Sequence, residues 1–169
     1  MANYKQIQLT QGKYALVDNS DYEDLSKYKW YAYKCGKNYY AARSVRIKGT
    51  KKKQTIIMHS LIAKTPDGMV TDHINGNGLD NRRENLRICS HRENICNCKP
   101  RSGFSRFKGV SWNVLLKKWR ARICYKGKKI SLGCYQKEEE AARAYDLKAS
   151  EWFGEYAKLN FPHRMEVAS

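Results

Sequence analysis

Asp72 and His73 stand side by side, and Asn85 and Asn94 follow at spacings that could return to them through a loop and a helix. An acid next to a histidine can bind a divalent cation with one side chain while its neighbour deprotonates water. Cutting a phosphodiester needs both operations. The surrounding chain is strongly basic, with 33 Lys and Arg against 16 Asp and Glu, a formal charge of +17 and a pI near 9.7. Such a field attracts polyanions, and the interleaving of these cations with 12 Tyr and 4 Trp favours nucleic acid over an acidic membrane surface.

The chain has 169 residues, 41% of them hydrophobic, and a mean hydropathy of -0.78, which predicts two small cores rather than one large one. No run approaches the roughly 18 apolar residues of a membrane span, and the first ten residues lack the apolar centre of a secretory signal, so an intracellular protein is expected. Six cysteines lack the paired rhythm of a disulfide scaffold and are expected to be reduced thiols. Cys89, His91, Cys96 and Cys98 have zinc-ligand chemistry. The Cys-x-Cys spacing and the lack of a second Cys-x-x-Cys knuckle argue against structural zinc.

Several elements must position the Asp-His pair. Ile7-Gln8-Leu9, Tyr14-Ala15-Leu16-Val17, Trp30-Tyr31-Ala32-Tyr33, Tyr39-Tyr40-Ala41-Ala42 and Val45-Arg46-Ile47 read as short strands of one small antiparallel sheet, punctuated by glycine turns. Residues 55–63 shift from strand to helical character before Pro66, and His59, just ahead of an apolar run, reads as a structural histidine. Met69-Val70-Thr71 leads as a strand into Asp72-His73. Asn75-Gly76-Asn77-Gly78 forms a loop, residues 81–86 a helical turn and residues 90–97 a helix. The composition of Lys99-Pro100-Arg101-Ser102-Gly103 is that of a linker.

Beyond it, residues 108–113, 119–124 and 129–132 read as strands and 136–154 as an amphipathic helix. Glu138, Glu139 and Glu140 suit its positive N-terminal end. Val110, Trp112, Trp119, Ala121, Ile123, Ile130 and Leu132 alternate along the strands and are expected to pack on the helix. Ser111, Asn113, Arg120, Arg122, Lys129 and Ser131 would then form the opposite face, a basic and polar strip able to read DNA bases or to contact phosphate alone. Val114-Leu115-Leu116 makes an apolar hairpin turn, either ordinary packing or a contact surface.

His59-Ser60-Leu61-Ile62, Asp72-His73-Ile74-Asn75-Gly76-Asn77, Leu79-Asp80-Asn81-Arg82, Glu84-Asn85-Leu86-Arg87 and Glu93-Asn94 together resemble the HNH nucleases with a ββα-metal core, in their phage and intron homing branch. The resemblance implies His73 as general base, Asn85 as the residue that orients it, and Asp72 with Asn94 as ligands of one divalent ion, magnesium or manganese. His91, one helical turn before Asn94, is the alternative ligand. Arg82, Arg87 and Arg92 would hold phosphates. It also implies action in the cytoplasm of a bacterial or phage-infected host.

Phe107-Lys108-Gly109-Val110, Lys118-Trp119-Arg120-Ala121-Arg122-Ile123, Ser131-Leu132-Gly133, Glu139-Glu140-Ala141-Ala142-Arg143-Ala144-Tyr145-Asp146 and Leu159-Asn160-Phe161-Pro162 resemble the APETALA/ethylene-response-factor (ERF) domain. That resemblance implies a sheet that enters the major groove of double-stranded DNA, backed by a helix. Ser111, Asn113 and Arg122 depart from the plant pattern, so a plant target site does not transfer.

The expectation is an α+β protein: an HNH nuclease domain over 1–98 with an N-terminal sheet, a linker over 99–105, an ERF-like domain over 106–162 and a tail over 163–169. The expected function is a homing-type DNA endonuclease. The alternative is a DNA-binding regulator that keeps the nuclease fold without cutting. Oligomeric state and membrane binding have no sequence signal in favour.

Overall fold

Short runs rich in β-branched and aromatic residues alternate with glycine and lysine turns, and they fold as antiparallel ladders closed by a few helices. The computed structural model describes residues 3–97 and 105–162. The expected linker, apart from Ser105, lies outside the described residues, as do Cys98 and the tail over 163–169. The chain divides into two compact units, Met1–Asn94 and Ile95–Ser169.

In the first unit, β1 (Tyr4–Gln8) and β2 (Tyr14–Asp18) form a hairpin that sets Ile7 opposite Ala15. Its turn uses Gln11 and Gly12, both with positive φ. Helix α1 (Asn19–Ser26) starts directly after β2 and buries Leu25. Strands β3 (Tyr31–Cys35), β4 (Asn38–Arg46) and β5 (Lys53–Ile57) make a separate sheet in the order β3-β4-β5. The single expected N-terminal sheet is therefore two. Tyr39 to Ala42 and Val45 to Arg46, expected as separate strands, belong to the continuous strand β4 because no turn residue interrupts them.

Ile7, Val17, Leu25, Trp30, Ala41 and Met58 meet in the core of this unit. Trp30 Nε1 donates to the Leu25 carbonyl at 2.8 Å, which satisfies the buried indole. Helix α2 (Met58–Ala63) continues from β5, buries Met58 and Ile62 four residues apart, and ends at Lys64 in the left-handed region. Strand β6 (Val70–His73) pairs with β7 (Leu86–Cys89), and α3 (His91–Cys96) follows. Strand β7 has four residues between a turn and a helix, too few for its alternation to stand out in the sequence.

In the second unit, β8 (Val110–Asn113), β9 (Lys118–Tyr125) and β10 (Lys128–Tyr135) form a sheet in the order β10-β9-β8. It packs on α4 (Glu138–Phe153) through Val110, Ala121 and Ile123 against Ala141, Ala142 and Tyr145. A bulge between Ser131 and Gly133 shifts the register of β10. Trp112 departs from expectation: it remains 39% exposed and stacks edge-on against its cross-strand partner Trp119 at 5.1 Å. The Val114-Leu115-Leu116 turn projects into solvent, with Leu115 94% exposed.

Asp146 on α4 ties the C-terminal strap to the sheet. Its carboxylate accepts from the backbone N of Asn160 and Phe161 at 2.8 Å each, while Asn160 Oδ1 accepts from Lys108 N at 2.7 Å. Gly109 is the close-packed point, since its φ is +77° and an added Cβ would lie 2.0 Å from the Tyr145 ring. Gly109→Ala is expected to destabilise this unit by about 2 kcal/mol or more through combined backbone strain and overpacking. Urea unfolding followed by tryptophan fluorescence checks this; an unchanged midpoint would contradict the packing described.

Candidate active site

The β6–β7 ladder sets Asp72 directly across from Arg87, and His73 across from Leu86. Arg87 donates to Asp72 Oδ2 through Nε at 3.0 Å and Nη2 at 2.7 Å. The two side chains are only 8% and 11% exposed, so the pair is buried. Removing the guanidinium would leave a carboxylate in low dielectric.

The chain between β6 and β7 is held by its own side chains. Asn85 Oδ1 accepts from Asn75 N at 3.0 Å, and Asn85 Nδ2 donates to Asn75 Oδ1 at 3.1 Å and to the Asp80 carbonyl at 2.8 Å. Ile74 N donates to the Asn85 carbonyl at 2.9 Å. Asn75 Nδ2 donates to Asp80 Oδ2 at 2.9 Å, and Arg82 closes on both oxygens of Asp80 at 2.8 Å each. The Arg82 guanidinium holds the Asp80 carboxyl below the usual carboxylate range.

Strand β2 forms the wall behind this loop. Leu16 N donates to the Leu79 carbonyl and Asn81 N to the Leu16 carbonyl, both at 2.8 Å. Arg83 reaches the same wall: its backbone N donates to Asp18 Oδ2 at 2.8 Å and its Nη2 to Asp21 Oδ1 at 2.7 Å.

His73 is buried, and its Nε2 lies 3.3 Å from Oδ1 of the fully buried Asn81. Asn81 Nδ2 donates to the Leu79 carbonyl at 3.2 Å, which turns Oδ1 toward the imidazole. An amide oxygen accepts, so the neutral ring carries its proton on Nε2 and its basic lone pair on Nδ1. Burial lowers the His73 pKa, and the Asn81 bond with the charges of Asp72 and Asp80 opposes that shift. A neutral imidazole near pH 7 results.

Two further rings pack on it. The His59 ring stands almost perpendicular to His73 at 4.9 Å between centroids, and Tyr40 lies 5.9 Å from His73 and 5.6 Å from His59. Among the described residues the buried His59 Nδ1 has no hydrogen-bond partner. Burial, helped by the neighbouring His73, pushes the His59 pKa down to about 3.

The structure thus brings Asp72 and His73 together with Arg87 and Asn85. The Asn85 side chain bonds the loop rather than the imidazole; the asparagine at the ring is Asn81. Asn81 sits within a run that reads as turn residues, so nothing in its type singled it out. Arg82 is paired with Asp80 and Glu84, at 2.8 and 2.7 Å, rather than projecting as an unengaged cation. Asn94 is half-buried on α3, its backbone N bonded to the Ser90 carbonyl at 3.0 Å, while His91 and Arg92 are exposed. A reciprocal cap starts that helix: Glu93 Oε2 accepts from Ser90 N at 2.7 Å, and Glu93 N donates to Ser90 Oγ at 3.3 Å.

In the second unit Arg122, Lys129 and Ser131 are exposed, whereas Ser111, Asn113 and Arg120 are half-buried. Ser111 and Arg120 sit opposite one another on β8 and β9. No helix among the described residues is long and apolar enough to cross a membrane.

Residues 56–95, which contain β6, β7 and the loop between them, match the family model described as HNH endonuclease. A protein named as an uncharacterised HNH endonuclease in Acanthamoeba polyphaga mimivirus is 31% identical over 151 residues, covering 88% of this chain and 75% of that protein. Protein 3.8 of Escherichia phage T7 is 34% identical over 95 residues, 56% of this chain and 78% of its own length. The chain belongs to the HNH endonuclease family. A shorter similarity, 40% identity over 57 residues, relates 34% of the chain to 18% of an AP2-like ethylene-responsive transcription factor of Arabidopsis thaliana.

Two measurements test the electrostatics of the site. Arg87→Met should destabilise the protein by about 3 kcal/mol, because it strands the Asp72 carboxylate, and adding Asp72→Asn should restore part of the loss. Urea titration of the single and double variants reads both effects. His59 is neutral in the folded state but takes a proton below about 6.5 when unfolded, so the unfolded chain binds more protons between that pH and the folded value of about 3. Stability should therefore fall as pH drops through this window, by at most about 1.4 kcal/mol per unit for this one group. His59→Gln should reduce the slope, and an identical pH dependence in parent and variant would refute the assignment.

Proposed function

We propose that the protein is a metal-dependent, site-directed DNA endonuclease of the homing type. The observation that carries this reading is the buried His73, neutral and held by Asn81 with Nδ1 as its basic nitrogen, immediately beside the Asp72 carboxylate. Nδ1 would take a proton from the water that attacks phosphorus in line. Asn85 would act indirectly, by closing the loop that carries Asn81 and supports the ring.

Asp72 and the amide oxygen of Asn94 are hard oxygen donors, and His91 is the alternative to Asn94. Among the described residues no three His, Cys, Asp or Glu side chains gather as a metal cluster. A sparse oxygen set suits magnesium or manganese, whose remaining positions water and phosphate can fill. One such ion, when bound, would neutralise charge on the scissile phosphate and stabilise the departing 3′ oxygen. Arg92 on α3 would contact phosphate, joined by Arg82 and Arg87 where their carboxylate pairs allow.

The second unit is proposed as an ERF-like reader of double-stranded DNA. Its three-stranded sheet backed by one helix and the similarity to an AP2-like factor support this. Arg122, Lys129 and Ser131 would contact DNA from the exposed face, with Ser111, Asn113 and Arg120 beside them. Arginine can read guanine and asparagine can read adenine there. Holding both units on one chain raises the concentration of the cutting centre near the bound site. One such centre cuts one strand, so a double-strand break requires two centres or two events.

Supercoiled plasmid incubated with the protein and magnesium or manganese should be nicked or linearised, and His73→Ala should slow this by roughly 100-fold or more. Intact plasmid under every condition, with DNA binding retained, would favour the non-cutting regulator instead. Arg122→Ala with Lys129→Ala should weaken DNA binding and flatten its dependence on salt, while leaving the folded structure unchanged by circular dichroism. Equal affinity and equal salt slope would remove the reader assignment.

A further inference from the structure

The Asn81 contact at 3.3 Å holds Nε2 of the His73 ring, and two further aromatic rings pack against the imidazole. Rotation of the ring plane would carry Nδ1 away from a reacting phosphate. Three elements converge to prevent this: β6 carries His73, the start of α2 carries His59, and β4 carries Tyr40. The near-perpendicular His59 ring at 4.9 Å and the tilted Tyr40 ring at 5.9 Å both pack against the imidazole and, at 5.6 Å, against each other.

We propose that His59, together with Tyr40, is a positioning residue that locks the plane of the His73 ring. The inference rests on His73 being the general base, and it assigns a catalytic consequence to a histidine that the sequence presents as structural.

Several observations support a wall built of rings rather than of arbitrary core side chains. Gly78, in the loop that holds His73, approaches Tyr40 so closely that a Cβ there would lie 2.6 Å from the ring and 2.5 Å from the Tyr39 carbonyl. Loop and wall are thus packed together without slack. Among the described residues the buried His59 Nδ1 has no hydrogen-bond partner, while the ring itself meets His73 at 4.9 Å. The His59 ring is also kept uncharged by burial, so it forms the wall without placing a cation against the base.

The test uses the full chain with His59→Ala, His59→Phe and Tyr40→Leu. Nitrogen-15 histidine spectra of the metal-free protein report the tautomer and mobility of His73 whether or not DNA is cut. Plasmid cleavage then reports kcat and KM. The parent should show one Nε2–H tautomer for His73. His59→Ala should give an averaged or broadened His73 signal and lower kcat by roughly 10- to 100-fold with little change in KM. His59→Phe, which restores a neutral ring, should recover most of the lost activity and the single tautomer.

A folded His59→Ala protein with the parental His73 spectrum and kcat would overturn the proposal. So would a His59→Phe variant as impaired as His59→Ala, because the ring would not then be the active feature. Should His59→Ala fail to fold, His59→Phe and Tyr40→Leu decide the matter by the same readouts. If the parent itself does not cleave, the endonuclease reading fails while the spectra still test the positioning of His73.

Discussion

The closure of the chain between β6 and β7 onto β2 is the constraint on which the site depends. That segment is polar and rich in asparagine, so left to solvent it would sample many conformations. Asn85 clasps both ends of it, through Asn75 at the start and the Asp80 carbonyl further on. The Leu16 backbone then grips it from outside at Leu79 and Asn81. Asn81 can present its amide to His73 only because its own backbone N is already bonded to Leu16. The N-terminal hairpin is thus part of the site's machinery, although it contributes no side chain to the chemistry.

Burial decides the charge states around this loop. Asp72 and Asp80 are both taken out of water, and each has an arginine set against it. His73 and His59 are buried as well and respond by remaining neutral. Arg82 holds the Asp80 carboxylate in its charged form, whereas the buried imidazoles give up their charge. In the endonuclease reading, a neutral imidazole able to accept a proton would then sit next to a carboxylate able to attract a cation, which two solvated residues of the same types would not guarantee.

How much of this was legible in the sequence depended on what kind of signal each residue carries. Asp72, His73 and the strand leading to them were readable because adjacent acid and imidazole are chemically distinctive, and the loop because Asn and Gly cluster there. Alternation gave the second unit's sheet and helix, while Trp112 escaped it because cross-strand stacking on Trp119 competes with packing on the helix. Asn81, His59 and Tyr40 were opaque for a different reason. Their importance lies in which neighbour they touch, and Tyr40 is brought to His73 from β4 across a long stretch of chain by the fold alone. For Asn85 the limit was the same: spacing indicates that an asparagine returns to the site, not which atom it meets there.

In the endonuclease reading, a base beside two oxygen donors would have a further consequence for selectivity. Asp72 and Asn94 among the described residues would supply two oxygen ligands, and phosphate would help to complete the shell of a magnesium-like ion. Cation and DNA would then bind with mutual reinforcement, each improving the site for the other. The Arg87 pair works in the same direction, since a guanidinium on Asp72 balances that carboxylate in the free protein. An ion arriving without phosphate would have to compete with that contact for limited return. Assembly on DNA would thus be favoured over assembly in solution, so a protein whose +17 charge draws it to any nucleic acid would bind far more often than it cuts.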